Sequence, residues 1–574
     1  MKNFKLSLEI ILLITSLLLI ITYNFKFPID ADAHYFIKSG EEIYLLKGFP
    51  VYDSFSWVPV EQKVPYVNWE WLTCLIFYVI YNKGGFLYLT FYKTVLYGLS
   101  YFIMFFICKK KYGLLSASLS IIIAIYTGRC FLAPRAMVHT AVLFPVAIIM
   151  LLYDQDTYFD KRQLFYFPIL FLVWSNLHAG FIVGMAFVFV GFLINYYFKV
   201  KKITNKKKKQ LFLSYLLLVC LCLIAVMVNP YGPKVFLKIL EFFTPRSIEV
   251  FIKYNTEYQS PLSYIKYFDY YIIAVFLSIM GLFFYYFRYR ITLSPVEFYT
   301  YLFFLLISLR AVRNIQLFSI AIIPVFAFLF YNTIEIKKNF FNSPVSEKVS
   351  FLFVFLKIIC LTGILYYFVT VLSGLDPTAK STEKKLFPVN LKEYLIKNDL
   401  PQNLYNHEIA GSYLLFTYPK YKVCIDTREP LVYKPDYFIE LGATYSDHET
   451  FMRFVDKYNI DLCIMDLKYH PDLLASHKRG WLLLYEEGRY KLYLRSNERN
   501  KKIIDKFKND ELVYPNIYEC HAFLYLNFIE LKDYRKSRKY LRKLINYYPE
   551  DKKLWSYLRE IDRLIELDNH KKGR

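Results

Sequence analysis

Two aspartates in Asp-x-Asp spacing, Asp30 and Asp32, follow an apolar run near the start of the chain. Carboxylates there can take a proton from a hydroxyl, or simply cap a short helix running through AHYFIKSGEEIYLL. Arg135 and His139 stand four apart beside Pro134, a spacing that also suits side chains snorkelling to lipid headgroups. His178, in FLVWSNLHAGF, lies between two apolar runs joined by almost no loop, just after Trp174 and Asn176. An ionisable group at such depth faces a cavity or a partner, a satisfied structural histidine being the plainer alternative. Arg310 and Arg313 share one face of a predicted helix and precede Asn314. Paired guanidiniums repel unless an anion sits between them, and phosphate is the natural one. Glu257, in YNTEYQSP, is either a surface carboxylate or the partner of one of these arginines. Together these types supply a base and a phosphate clamp, the chemistry of a site for an anionic, lipid-linked substrate.

Such residues can meet only if the intervening chain brings them to one place. Of 574 residues, 56% are hydrophobic and 20% aromatic, spread over many runs, which implies a polytopic membrane protein. The net charge of +23 sits largely in short blocks between apolar runs, so topology accounts for it better than nucleic acid does. Nine scattered cysteines without C-x-x-C spacing give neither a zinc site nor a disulfide framework. The first apolar run lacks a small-x-small cleavage pattern and reads as a retained helix. Runs able to cross about 30 Å of hydrocarbon start near Leu6, Phe86, Leu114, Met137, Leu164, Phe181, Leu211, Tyr270, Pro295, Ile315 and Phe351, about eleven in all. The short stretch 69–82, opening on Trp69, Glu70 and Trp71, suits a helix lying in the interface. With that reading the basic blocks at 109–111, 160–162, 199–209, 288–290 and 337–338 all fall inside. The segments 24–68, 128–139, 175–180, 229–261 and 309–314, with everything after about residue 373, then share the outer face.

The predicted organisation is a transmembrane domain over 1–373, with a first outer loop and interfacial helix over 24–85 and a polar linker over 374–386. A soluble α/β domain follows over 387–500. Its QNLYNHEIAGSYLLF reads as strand–turn–helix, and YKVCIDTREPLVY as a strand ending at Asp426 and Arg428. Those two could bind a ligand, though an internal ion pair is the simpler reading. KYNIDLCIMDL reads as a buried strand and GWLLLYEEGRYKLYLR as a hairpin turning near Gly488. The tail, 501–574, has helical spacing like a tetratricopeptide hairpin, expected to pack on the α/β domain or bind a protein partner.

The outer segments resemble, in order, those of bacterial integral-membrane proteins of the GT-C glycosyltransferase superfamily. The resemblance rests on Asp30, Asp32 and Gly40, then Pro50 and Asp53, the Trp69–Leu72 stretch, Pro134-Arg135, and Trp174-x-Asn176-x-His178. Asn229-Pro230-x-Gly232, Glu257, the Arg310/Arg313/Asn314 segment and GSYLLF…CIDTRE complete it. It implies a membrane all-α fold with about eleven helices and a catalytic base at Asp30 or Asp32. His34 precedes Tyr35 where the pattern has aromatic residues first. Which aspartate acts, and whether a divalent metal is bound, stays open.

The expected activity is inverting transfer of a sugar from a polyprenyl-phosphate donor to an envelope glycan, lipid or protein. The expected place is the outer face of a bacterial inner membrane, with the carboxy-terminal domain extracytoplasmic and no nucleic-acid partner. Arg135, His178, Glu257, Arg310, Arg313 and Asn314 are the candidate substrate-binding residues. The alternatives are a surface-polysaccharide polymerase or ligase, and a non-catalytic membrane scaffold whose helical tail recruits partners.

Overall fold

Glycines cut the longest helical stretch, Trp71–Gly128, into three rods: Gly85 has φ 61° and Gly113 φ 79°, a region in which a side chain would be strained. The first rod, 71–83, extends about 20 Å, short of the roughly 30 Å of hydrocarbon. It is thereby separated from the apolar rod beginning at Phe86. The computed structural model describes residues 2–26, 29–58, 63–129, 132–242, 244–340, 380–445, 447–469 and 480–572. These divide into two units, one of Met1–Pro50 with Val67–Ala379, the other of Val51–Tyr66 with Lys380–Arg574.

The first unit is helical. Among the described residues, five helices are long and apolar enough to cross a membrane: Trp71–Gly128, Met137–Asp156, Phe181–Val200, Asn205–Met227 and Asp269–Tyr289. The pair Val312–Ala321 and Ile323–Glu335, bent by 42°, would make a sixth. Among the described residues this is fewer than the expected eleven, with Trp71–Gly128 counted once although it holds two of the expected starts. Gln163–Leu177 and Pro295–Arg310 begin where spans were expected but stop at 15 and 16 residues. The start near Phe351 lies outside the described residues.

Lys2–Lys26 and Ala31–Leu46 pack against the long stretch. Gly40 sets the second crossing, because a Cβ there would stand 2.0 Å from the Cys74 carbonyl oxygen. Several of these helices are tied together by buried polar groups. Asp154, fully buried, accepts from Gln163 Nε2 (2.9 Å), Asn195 Nδ2 (2.7 Å), Lys199 Nζ (2.9 Å) and the Tyr215 hydroxyl (2.6 Å). Four donors on one carboxylate offset the loss of water that burial imposes on it.

The second unit holds a five-stranded sheet. Its strands are β1 (Asn403–Tyr405), β2 (Lys422–Val423), β3 (Leu462–Asp466), β4 (Trp481–Glu487) and β5 (Tyr490–Arg495), in the order β2-β1-β3-β5-β4. β1 pairs parallel with β2 and β3, whereas β5 runs antiparallel to β3 and β4. The helix Glu408–Thr417 follows β1. Three helices end the chain, Tyr518–Glu530, Tyr534–Tyr547 and Lys552–Lys572. The strand residues Leu404, Ile464 and Leu492 share one apolar core with the tail residues Leu524, Leu541 and Ile561, so the compact unit runs across residue 500 without a boundary. Part of the expected linker is also ordered, as the helix Lys380–Leu386.

Residues 51–66, expected in the first outer loop, pack in this unit because they complete a buried charge cluster. Arg428, fully buried, donates from Nε to Asp426 Oδ1 (2.9 Å) and from Nη2 to Asp426 Oδ2 (2.8 Å). Its Nη1 donates to Asp53 Oδ1 (2.5 Å) and its Nη2 also to Ser56 Oγ (3.0 Å). Tyr433 donates to Asp426 Oδ2 at 2.8 Å. Asp426 and Arg428 thus form the internal ion pair. Gly411 of GSYLLF lets its helix touch the Ile425 carbonyl, 1.9 Å from where a Cβ would stand. The tail motifs build the fold of this unit.

Candidate active site

In the first unit the structure brings together four of the singled-out residues. Asp30 occupies the N-cap position of Ala31–Leu46, yet its side chain makes no capping hydrogen bond. It turns instead to Arg135, whose Nε pairs with Asp30 Oδ2 and lies 3.0 Å from Asp32 Oδ2. Arg135 Nη1 stands 2.5 Å from Glu257 Oε1. Three carboxylates from two distant loops thus meet on one guanidinium, and all four side chains keep some exposure. Burial pushes the Asp30 carboxyl up, but the charge and hydrogen bond of Arg135 outweigh it and hold the group below its ordinary value.

Each partner is set by its own backbone. The Arg135 loop is anchored from beneath by fully buried Lys93, whose Nζ donates to the Leu132 carbonyl at 2.7 Å. In the Glu257 loop, Asn255 Oδ1 accepts from the Glu257 N–H at 2.9 Å. Two bonds tie this loop to the 309–314 turn: the Val312 N–H to Gln259 O (2.9 Å) and Ser260 Oγ to Leu309 O (2.7 Å). Arg313 therefore sits beside the cluster, its guanidinium 4.7 Å over the Tyr258 ring. No carboxylate holds Arg313 within ion-pair distance among the described residues.

The expected Arg310/Arg313 face does not form. The helix stops at Arg310 because Ala311 is extended (φ −150°, ψ 129°), and a 3-10 turn follows. Arg310 stays exposed at the helix end, whereas Arg313 turns towards Tyr258. Asn314 closes that helix end, donating from Nδ2 to the Ile307 carbonyl at 2.9 Å. Snorkelling is likewise not what Arg135 and His139 do. His139 is buried, with Nε2 2.7 Å from the Tyr92 hydroxyl and Nδ1 3.0 Å from Thr73 Oγ1. His34 is fully buried, edge-on to Phe86.

Beside the ion cluster lies a pair that the sequence reading did not join. Glu70, treated there as the rim of an interfacial helix, is 7% exposed. Its Oε2 accepts from the Tyr35 hydroxyl at 3.2 Å, and its Oε1 is 3.4 Å from His178 Nε2. Burial first, then the charge of Asp32, pushes the Glu70 carboxyl up to about 8 against the pull of Tyr35 and Arg313. Burial and the nearby Arg313 charge push His178 down to about 3, so its ring is neutral. The available signal was a glutamate between two tryptophans directly before an apolar helix.

The Trp-x-Asn-x-His motif frames this pair. Trp174 Nε1 donates to Thr140 Oγ1 (2.8 Å), which meets His178 Nδ1 at 2.7 Å. Asn176 Oδ1 accepts from Trp71 Nε1 (2.8 Å) and Asn229 Nδ2 (3.2 Å), and its Nδ2 donates to Val228 O (2.9 Å). One asparagine thereby locks three motif segments together. Gly232, at φ 54°, closes the Asn229 turn through a 2.8 Å backbone bond.

A divalent metal does not fit these residues. Asp30, Asp32 and Glu257 are already turned onto the Arg135 cation, and no group of three or more His, Cys, Asp or Glu is gathered for a metal among the described residues. What remains is a carboxylate cluster able to accept a proton, beside an arginine able to hold an anion.

No protein-family model matches the chain, and no curated protein matches it. The crystal structure of the Archaeoglobus fulgidus oligosaccharyltransferase in the apo form is 10% identical, with a TM-score of 0.49 over 85% of this chain and 74% of that one. The archaeal oligosaccharyltransferase AglB from Archaeoglobus fulgidus, in complex with an inhibitory peptide and a dolichol-phosphate, is also 10% identical. Its TM-score is 0.47, over 96% of this chain and 87% of that one. At this identity and these scores, neither likeness bears on the reaction or the substrate.

Proposed function

We propose that the chain is a membrane glycosyltransferase of GT-C type that takes a sugar from a polyprenyl-phosphate donor. The acceptor is a glycan, lipid or protein of the cell envelope, reached at the outer face of a bacterial inner membrane. The observation that supports this reading is the meeting of Asp30, Asp32, Arg135 and Glu257, with Arg313 beside them, where apolar helices end.

In the mechanism we propose, Asp30 or Asp32 takes the proton of the acceptor hydroxyl as its oxygen attacks the anomeric carbon. The bond from that carbon to the phosphate oxygen breaks with its electrons on the phosphate. Arg313 offsets the growing negative charge. Attack opposite the leaving group inverts the sugar. Arg135 holds the acidic side chains close despite their mutual repulsion. Arg310, exposed at its helix end, and Asn314, which closes that end, are left with guiding and framing roles.

The test is transfer from a labelled polyprenyl-phosphate sugar by purified protein carrying Asp30→Asn or Asp32→Asn. Each substitution keeps shape and removes a base, and loss of the acting base is expected to cost on the order of 100-fold or more. Full activity in both single variants would refute the mechanism. Products lengthened by several sugars from a lipid diphosphate would favour the polymerase alternative.

A further inference from the structure

In the second unit a hollow of about 230 Å³ opens between the 51–66 segment, the helix Pro435–Ala443 and the end of the helix His448–Lys457. None of its residues takes part in the transfer chemistry above. Its floor is apolar: Val58, Val64 and Val432 are buried there, beside the rings of Tyr433, Tyr437 and Tyr458. The phenol oxygens of the first two are committed inward. Tyr433 donates to Asp426 Oδ2 and Tyr437 to the Cys424 carbonyl, each at 2.8 Å. What these rings offer the hollow is therefore carbon, and they lie nearly parallel, 17° apart with centroids at 5.8 Å. Held from behind, they lose little rotamer freedom when a ligand arrives.

The charged side chains stand at the mouth. Lys434, Asp436 and Lys457 are exposed and Glu440 is half-buried. Asp436, Tyr437 and Glu440 share one face of the helix that opens on Pro435, which sets carboxylates beside the aromatic floor. Glu440 is fixed there, Oε1 accepting from Lys457 Nζ at 2.6 Å and Oε2 from the Tyr458 hydroxyl at 3.0 Å. Each oxygen keeps a lone pair for a further donor. Two lysines against two acids leave the mouth without net charge, which argues against a phosphate, a uronate or a cationic peptide as occupant. Donors and acceptors side by side above ring carbon match a sugar, whose hydroxyls both give and take hydrogen bonds and whose C–H face is apolar. The volume lies below the roughly 300 Å³ at which sites for drug-sized ligands begin, so the hollow takes one ring and leaves the rest of a chain outside.

We propose that this hollow binds one uncharged sugar residue of a glycan chain, with Tyr433 and Tyr437 beneath the ring and Glu440, Lys434 and Lys457 on its hydroxyls. As an acceptor site it rests on the glycosyltransferase reading above, and it narrows the acceptor to a neutral glycan. Tyr458 closes one side, with Lys457 Nζ 4.7 Å from the centre of its ring. A single subsite of this size gives an affinity of about 1 mM.

The test is saturation-transfer NMR on the full-length protein in nanodiscs. The neutral probes are cellotetraose, maltotetraose, mannotetraose and chitotetraose; oligogalacturonate and a tetrapeptide mixture are the charged and peptidic ones. At least one neutral probe is expected to bind with an affinity that salt leaves unchanged, because it carries no charge. Tyr458→Ala is expected to weaken binding about tenfold. Tyr458→Phe, which keeps the ring and loses the bond to Glu440, is expected to bind within about threefold of wild type. Lys434→Ala combined with Asp436→Ala, both at exposed positions, is expected to cost about tenfold as well, and decides if Tyr458→Ala fails to fold. Binding that these variants leave unchanged, tighter binding of oligogalacturonate or the peptides, or no neutral probe bound overturns the sugar site. Transfer lost only in the Asp30 or Asp32 variants then keeps the glycosyltransferase reading standing without it. A sugar bound by protein that transfers nothing overturns that reading, and the acceptor role with it, but upholds the site.

Discussion

Replacing Glu70 with glutamine removes a carboxyl whose ionisation burial opposes, and the effect on stability follows from its two states. In the unfolded chain the group ionises near its ordinary 4.5, in the folded protein near 8. Between those values the folded protein holds a proton that the unfolded chain has lost. The contribution of this group to stability therefore falls as pH rises through that window and levels off above 8. The whole displacement amounts to about 4–5 kcal/mol, of which about 2 kcal/mol falls between roughly pH 6.5 and 8.5. His34 and His178, pushed down to about 4 and about 3, work in the opposite direction, but only below 6.5, where the unfolded chain takes up protons. Across the upper window the difference between wild type and Glu70→Gln therefore reports Glu70. Thermal unfolding in detergent, followed by tryptophan fluorescence, is expected to show wild-type stability dropping relative to Glu70→Gln between roughly pH 6.5 and 8.5. The advantage of Glu70→Gln over wild type is expected to grow by about 2 kcal/mol across that window. An equal slope in the variant would refute the assignment of a buried, proton-bearing Glu70.

Other outcomes follow from the same contacts. Arg428→Ala leaves Asp53 and Asp426 buried without their cation and is expected to destabilise the second unit by about 3–5 kcal/mol, read as a lower midpoint in limited proteolysis. Gly40→Val drives a side chain into the Cys74 carbonyl and is expected to abolish stable expression in the membrane, while Gly48→Val at an open position is tolerated. Arg135→Met strips three partly exposed carboxylates of their cation. A loss of about 2–3 kcal/mol and of transfer activity is expected, and Arg135→Lys restores only part because one ammonium cannot span three carboxylates.

Much of this arrangement was legible in the residues themselves. Apolar run lengths placed many of the helices, and short β-like runs placed β1, β3 and the β4–β5 hairpin. Asp30, Asp32, Arg135 and Glu257 were each singled out, but nothing in their spacing says that all three acids close on one arginine. That pairing depends on how helices cross, which local pattern does not encode. Arg310 and Arg313 show the limit from the other side. Their spacing suits a continuous helix, yet Ala311 leaves helical geometry and the Ser260 and Gln259 bonds of another loop redirect the turn. Glu70 was misread for the same reason, since its depth is set by Tyr35 and His178 from distant segments. Asp53 likewise sits in the first loop by sequence and in the second unit by contact, drawn there by Arg428.

The most direct measurement is photo-crosslinking of the purified protein with a polyprenyl phosphate carrying a diazirine next to the phosphate, followed by peptide mapping. Adducts are expected on the segments around Asp32, Tyr258 and Arg313, diminished by unlabelled polyprenyl-phosphate sugar and by Arg313→Ala. Adducts confined to the basic 199–209 segment, or labelling that excess sugar donor leaves unchanged, would contradict a donor-phosphate site at this cluster.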